Sequence, residues 1–381
     1  MIYLDNNATT EVAPEVFAAM RRFLENSYAN PSSAYGFADN VKGAIESARE
    51  SVADLLGAAS PSEIAFTSGG TESDNWAILG ALDATSDKRH IVTTRVEHEA
   101  VRKLCEKLCT KGYAVTWLDG DEAGTLDLDQ VRNSIREDTA VVSVMMANNE
   151  TGVLFPVTDI AGIVKEESDA VFHVDGVNAA GKVKIDLKSS KIDLFSISAH
   201  KFHGPKGVGA LYIRDGVHLP AIQIGGGQEN SRRAGTEAVH QIAGIGTAAK
   251  YVSDLSSMSR IRELRDKLEK GILETIPNTT VNGTEDPDRR LPNTSNVSFE
   301  NTNGEMILSR LDEQGICVST GSACHAADHT ASPVLQAMNI PYSRAMGSIR
   351  FSLGRLNSEE EVTEVLSKLP AMIAEIRSIS K

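Results

Sequence analysis

Ile192-Asp193-Leu194-Phe195-Ser196-Ile197-Ser198-Ala199-His200-Lys201 is an apolar run that exits into small and basic residues. A short hydrophobic stretch of this kind, followed by the turn-forming Gly204-Pro205-Lys206-Gly207, reads as a strand buried on both faces. Upstream, Ala170-Val171-Phe172-His173-Val174 has the same character and ends on Asp175. Further strands are expected at Glu63–Thr67, His90–Thr94, Ala114–Leu118, Ala140–Met146 and Gly207–Ile213. Helical periodicity lies between many of them, at Ala34–Leu56, Thr71–Leu82 and Val157–Glu166. Strand and helix alternating at this spacing predict an α/β fold with a mostly parallel seven-stranded sheet, covered on both faces.

Beyond residue 256 the pattern changes. A charged helix over Ser259–Glu274 precedes strand signals at Ser295–Phe299, Gly315–Val318 and Ser348–Ser352. Ser358-Glu359-Glu360-Glu361 then opens a last helix with acidic residues in its first turn. The expected organisation is a large domain over 15–256 and a small α+β domain built from 1–14 and 257–381. The small domain carries a mobile loop over about 319–333.

Composition narrows the function classes. A net charge of −14 argues against broad nucleic-acid binding, which needs a basic face. No apolar stretch reaches the length of a membrane span, and the N-terminus has no signal-peptide pattern, so a cytoplasmic location is expected. Cys105 and Cys109, at i and i+4 of a helix expected over Ala100–Lys111, read as one buried face, and Cys317 after Ile316 also reads as core. Cys324 differs. It sits in Ser319-Thr320-Gly321-Ser322-Ala323-Cys324-His325-Ala326-Ala327, small and polar, where a thiol is a poor structural element and a good nucleophile.

Lys201 and Asp175 each follow the C-terminal end of a strand, and ligands of such sheets collect along that edge. A lysine for a Schiff base and a carboxylate to keep a pyridine nitrogen protonated are what a pyridoxal phosphate site requires. Phe66-Thr67-Ser68-Gly69-Gly70-Thr71-Glu72-Ser73 passes from strand to helix through two glycines, where backbone amides approach an anion. Gly225–Thr236 is a second glycine-rich, basic loop. His98 follows the strand His90–Thr94 and reaches the same edge, either to stack on a flat ring or simply to cap a helix. Asn148-Asn149-Glu150-Thr151-Gly152 offers amide donors there, or only a turn.

Together with Leu4-Asp5-Asn6-Asn7-Ala8-Thr9-Thr10, Asn30-Pro31-Ser32-Ser33, Arg233-Ala234-Gly235-Thr236, Gly321-Ser322-Ala323-Cys324 and Ser348-Ile349-Arg350-Phe351-Ser352-Leu353-Gly354-Arg355, these segments resemble the cysteine desulfurases of the NifS/IscS type, in order and over essentially the whole chain. The resemblance is nearest the nitrogen-fixation branch. It implies a fold-type I pyridoxal phosphate enzyme that forms a homodimer and takes sulfur from L-cysteine, leaving L-alanine. Lys201 would carry the Schiff base, Asp175 pair with the pyridinium, and His98 stack on the ring and move protons. Gly70, Thr71, Ser198 and His200 would hold the phosphate, with Thr236 from the other subunit. Asn149 would lie near the ring oxygen and substrate. Arg350 would bind the substrate carboxylate through its bidentate guanidinium. Arg355 competes for that role, with a structural salt bridge as its alternative. Cys324 would take up the sulfur as a persulfide and pass it to an iron–sulfur scaffold protein, one serving nitrogenase clusters included, or to another acceptor.

Two positions depart from the family pattern. Asn178 stands where glutamine is usual, one methylene short of the ring oxygen, and His325–Pro333 differs after the cysteine. A selenocysteine lyase or an aminotransferase would share Lys201 and Asp175, but an aminotransferase has no use for a loop cysteine. Cys317, Cys324, His325 and His329 read as a metal site would make a binding scaffold instead, though their spacing matches no usual zinc motif. No metal site is expected, apart from transient iron–sulfur ligation by Cys324.

Overall fold

The computed structural model describes residues 1–320 and 331–379. The strands, in chain order, are β1 (Ile2–Tyr3), β2 (Ile64–Thr67), β3 (His90–Thr94), β4 (Ala114–Leu118), β5 (Thr139–Ser143), β6 (Val171–Asp175), β7 (Leu194–Ser198), β8 (Gly209–Ile213), β9 (Thr279–Val281), β10 (Thr294–Phe299), β11 (Ile316–Cys317) and β12 (Ser348–Ser352). β2 to β8 form one seven-stranded sheet in the order β2-β8-β7-β6-β5-β3-β4. All pairings are parallel except the two made by β8. β8 runs the other way because the link from β7 is too short for a crossover, which takes a dozen or more residues. β2, β3, β5, β6 and β7 therefore end along one edge, and the polar residues that follow them meet there.

The sheet strands are buried almost throughout, because helices cover both faces. One large apolar cluster joins Phe66, Val142, Phe172, Phe195 and Ile197 to the helices Asp39–Leu56, Val157–Glu167 and Val239–Val252. A second cluster draws on Ile2, Leu4, Phe299, Ile349, Phe351 and the helices Ser257–Thr275 and Glu359–Ile379, which cover the antiparallel sheet β12-β10-β9. β1 pairs with β11, so the N-terminus belongs to this second cluster. Ala331, Val334, Leu335 and Met338 join the first cluster instead. Among the described residues no helix is long and apolar enough to cross a membrane.

Several expectations from the sequence need correction. Cys109 is exposed while Cys105 is buried. The buried stripe of the helix Glu99–Cys109 runs Val101-Cys105-Leu108, which leaves Cys109 on its flank. Cys317 is half-exposed, since alternation on a two-residue strand buries Ile316 and turns its neighbour the other way. The helix expected from Ala34 begins at Asp39, after a single 3-10 turn over Gly36–Ala38. The strand expected to reach Met146 stops at Ser143, and the Met145 amide donates to the Glu97 carboxylate at 2.9 Å.

Candidate active site

A cavity of about 360 Å³ opens along the edge where the parallel strands end. It collects Gly70, Thr71, His98, Asn149, Asp175, Asn178, Ser198, His200, Lys201 and Arg350. Residues spread over most of the chain meet because each follows the end of a strand in the same sheet or, for Arg350, lies on β12 beside it.

Asp175 closes β6, and its Oδ1 accepts a hydrogen bond from the Val177 amide at 2.9 Å. The residue after it must be glycine, because a Cβ on Gly176 would lie 1.9 Å from Phe195 Cε1. Lys201 ends the single turn Ala199–Lys201 that follows β7. Its Nζ donates to the carbonyls of Asn7 (2.5 Å) and Ala8 (3.1 Å). The Asp5–Thr10 segment thus has a definite task at the site, one the sequence left unassigned.

The turn after β2 needs a glycine at position 69. Gly69 has φ 150° and ψ −178°, a region that only glycine enters readily. The helix Gly70–Ala84 starts directly after it, so its first amides face the cavity edge with the dipole's partial positive charge. Ser198 and His200 stand beside this helix start, and His200 Nδ1 lies 3.2 Å from Thr9 Oγ1. Burial first, then nearby Lys201 and Lys206, push the His200 imidazole down to about 4, so it stays neutral at neutral pH.

His98 takes the capping role and also faces the cavity. It caps the helix Glu99–Cys109 by accepting the Ala100 amide on Nδ1 at 3.2 Å, and its ring lines the cavity. The cap assigns the ring proton of the neutral form to Nε2. Burial pushes its pKa below the ordinary value, and the Lys201 charge adds to this. The two asparagines divide the work. Asn148 Oδ1 closes the turn by accepting the Glu150 and Thr151 amides, whereas Asn149 Oδ1 is buried without a partner among the described residues. Arg350 gives Nη2 to Asp5 Oδ1 (2.7 Å) and Nη1 to the Asn149 carbonyl (2.8 Å), and its buried Nε has no partner there.

Two carboxylates at this site were missed. Asp74, one turn into the helix Gly70–Ala84, and Glu97, just before His98, both line the cavity, each with one buried oxygen that has no hydrogen bond among the described residues. Burial pushes Glu97 up to about 8 and raises Asp74, with Asp175 adding to both. Burial raises Asp175 too, against the pull of His98 and Lys201. Carboxyls this close in a buried site do not all ionise together unless a cation joins them. Asp74 is screened in sequence by its helix, but Glu97 stood beside His98 on a strand exit and could have been read.

Other expected residues lie elsewhere. Thr236 is outside this cavity in its own chain. Arg355 lines a separate small pocket, donates to the carbonyls of Val252 and Asp254, and stacks over Tyr251, and among the described residues it forms no salt bridge, contrary to expectation. Cys324, His325 and His329 lie outside the described residues. One flank of that stretch lines the cavity, through Pro333 and Val334, and on the other Ser319 pairs backbone to backbone with Arg350.

The donor set fits pyridoxal phosphate. There is an amine for its carbonyl carbon, a carboxylate for its ring nitrogen, a helix start with Ser198 and His200 for its phosphate, and in the cavity wall an Asn149 whose Oδ1 has no hydrogen bond among the described residues. Residues 2–365 match the family Aminotransferase class-V. The chain belongs to that family of pyridoxal phosphate enzymes. Among curated relatives, cysteine desulfurase 2 of Trichormus variabilis is 49% identical over all of this chain and 95% of its own. Cysteine desulfurase NifS of Azotobacter vinelandii is 47% identical over all of this chain and 94% of its own. Among solved structures, a NifS-like protein superposes with TM-score 0.91 at 39% identity, covering 98% of this chain and 99% of its own. SspA in complex with cysteine gives 0.83 at 36%, covering 94% and 100%.

Proposed function

We propose that this chain is a cysteine desulfurase that converts L-cysteine to L-alanine and loads the sulfur on Cys324 as a persulfide. The observation that supports this reading most is the meeting, in one cavity, of Lys201, Asp175, His98 and Arg350 with Pro333 and Val334 from one flank of the segment that bears Cys324, while Ser319 from the other flank pairs with the backbone of Arg350. Pyridoxal phosphate, when bound, supplies an electron sink for charge developed at the substrate Cα.

The chain's own groups do the rest. Arg350 receives the substrate carboxylate, which has to share the guanidinium with Asp5. Lys201, through its side-chain amine, moves the Cα proton, and neutral His98 holds or delivers a proton at Nε2. The Cys324 thiolate attacks the substrate sulfur, the Cβ–S bond breaks and an S–S bond forms. The electron pair left on carbon takes up a proton. L-Cysteine and a thiol thereby become L-alanine and a persulfide, with no outside oxidant.

The persulfide passes to an acceptor thiol, and an iron–sulfur scaffold protein, including one for nitrogenase clusters, is the acceptor class proposed. The same proposal includes a cytoplasmic homodimer in which Thr236 reaches the partner's cofactor phosphate. Exposed Phe17, Leu24, Tyr28, Tyr35 and Phe37 support an interface near the N-terminus. It also includes a cofactor-binding lobe over 15–256 and a second lobe from 1–14 and 257–381.

The test is alanine release and persulfide formation from L-cysteine, with L-selenocysteine as a comparison. Cys324→Ser is expected to abolish both on cysteine while keeping the bound-cofactor absorbance. Persulfide transfer by that variant overturns the role of Cys324. Turnover restricted to selenocysteine makes the enzyme a selenocysteine lyase.

A further inference from the structure

Lys182 is a buried amine that the chemistry above does not use. After β6 the chain turns tightly, with the Ala179 and Ala180 amides donating to the Gly176 carbonyl and the Lys182 amide to that of Ala179. This winding brings Lys182 back over Asn178, four residues before it. Lys182 is 8% exposed, and its Nζ donates to the Asn178 carbonyl at 3.0 Å and to Asn178 Oδ1 at 2.8 Å. Among the described residues no carboxylate pairs with it, and the nearby charges, Lys201 and Arg350, have its own sign. Burial first, and then those cations, push its ammonium well below the ordinary lysine range. A neutral amine still has two N–H groups for the two Asn178 oxygens, so the contact does not require the charge.

The consequence falls on Asn178. Lys182 takes Oδ1, which settles the orientation of the amide and leaves Nδ2 as its free donor. Nδ2 makes only a long contact of 3.4 Å to the Asn148 carbonyl, and Asn178 lines the cavity. A side chain one methylene shorter than glutamine presents its donor usefully only if it cannot rotate away.

We propose that Lys182 is a positioning residue, locking the Asn178 amide so that Nδ2 is presented to the ring oxygen of pyridoxal phosphate. This rests on the reading of Asn178 as a cofactor contact. A donated N–H stabilises negative charge on that oxygen, so the pH at which the bound cofactor's absorbance changes reports on it.

The experiment is an absorbance–pH titration of the holoenzyme, with apoprotein thermal unfolding as the control for folding. Lys182→Met is expected to move the midpoint up by about half a unit or more, a factor of roughly three in the proton equilibrium. Asn178→Ala should move it equally, and the double variant no further. Lys182→Gln, which keeps a donor, should restore most of the wild-type midpoint, and it carries the test if Lys182→Met does not fold. A shift in Asn178→Ala with none in the Lys182 variants overturns the role of Lys182 alone. No shift in Asn178→Ala removes the cofactor contact and this proposal with it. A wild-type protein with no cofactor absorbance overturns the function proposed above.

Discussion

His98 shows how one side chain can carry two separable loads. Its Nδ1 caps the helix Glu99–Cys109, and the remainder of the ring faces the cavity. His98→Ala should lose the cap, worth about 1 kcal/mol in urea unfolding. It should also lose roughly 10²–10⁴-fold in kcat. His98→Asn restores a capping side chain without the ring, so wild-type stability with the same fall in kcat is expected. Glu97 makes a prediction about pH. Burial opposes the charge and pushes its carboxyl up from the ordinary glutamate value near 4.5 to about 8. The folded form therefore holds a proton that the unfolded chain has released, and stability falls as pH rises from about 4.5 to about 8. Glu97→Gln mimics the protonated acid and should flatten that decline. By pH 8 the apoprotein should gain on the order of a few kcal/mol relative to wild type in urea unfolding. An unchanged slope means that Glu97 ionises normally.

At the scale of elements, the turn between β2 and the helix Gly70–Ala84 depends on backbone freedom rather than on space. A Cβ on Gly69 would meet only Ser198 Oγ, at 3.7 Å, an ordinary contact. The obstacle is its φ of 150°, so Gly69→Ala should cost about 1–3 kcal/mol or force the turn to rearrange. Rearrangement misaims the first helical amides, and cofactor release, followed by absorbance after dilution, should speed up more than unfolding does. Gly209 on β8 is a steric case, since its Cβ would lie 2.5 Å from the Ile197 carbonyl and 2.8 Å from Gly69 itself. Strand β8 thus packs against the turn, and its antiparallel course, unassigned from the sequence, follows from the short link from β7.

At the scale of the molecule, Thr236 gives the sharpest test of the proposed dimer. It lies outside its own chain's cavity, on a loop tied down by the Arg233–Glu72 ion pair and by the buried Arg49–Glu229 pair. If it serves the partner's phosphate, Lys201→Ala and Thr236→Ala chains unfolded and refolded together should recover activity. Random pairing makes half the dimers mixed, each with one intact site, so about a quarter of wild-type activity is expected. No recovery beyond the separate variants places Thr236 in its own site or in none.

The sequence by itself determined the α/β class, the run of strands and the identity of the residues at their exits. Apolar runs and the turn residues after them are local signals, and a parallel sheet brings successive strand ends to one edge whatever the loops do. Lys201, Asp175, His98 and Asn149 were legible for that reason. The tertiary structure alone decided what depends on contacts between distant segments. The Asn7 and Ala8 carbonyls reach Lys201, Asp5 engages Arg350, and Asp74 and Glu97 meet in a common buried site. A carboxyl's pKa and a lysine's charge follow from what surrounds them, and those surroundings come from across the whole chain. Lys182 is the plainest case: four residues from Asn178 in sequence, it became an amide lock only when the fold buried it there.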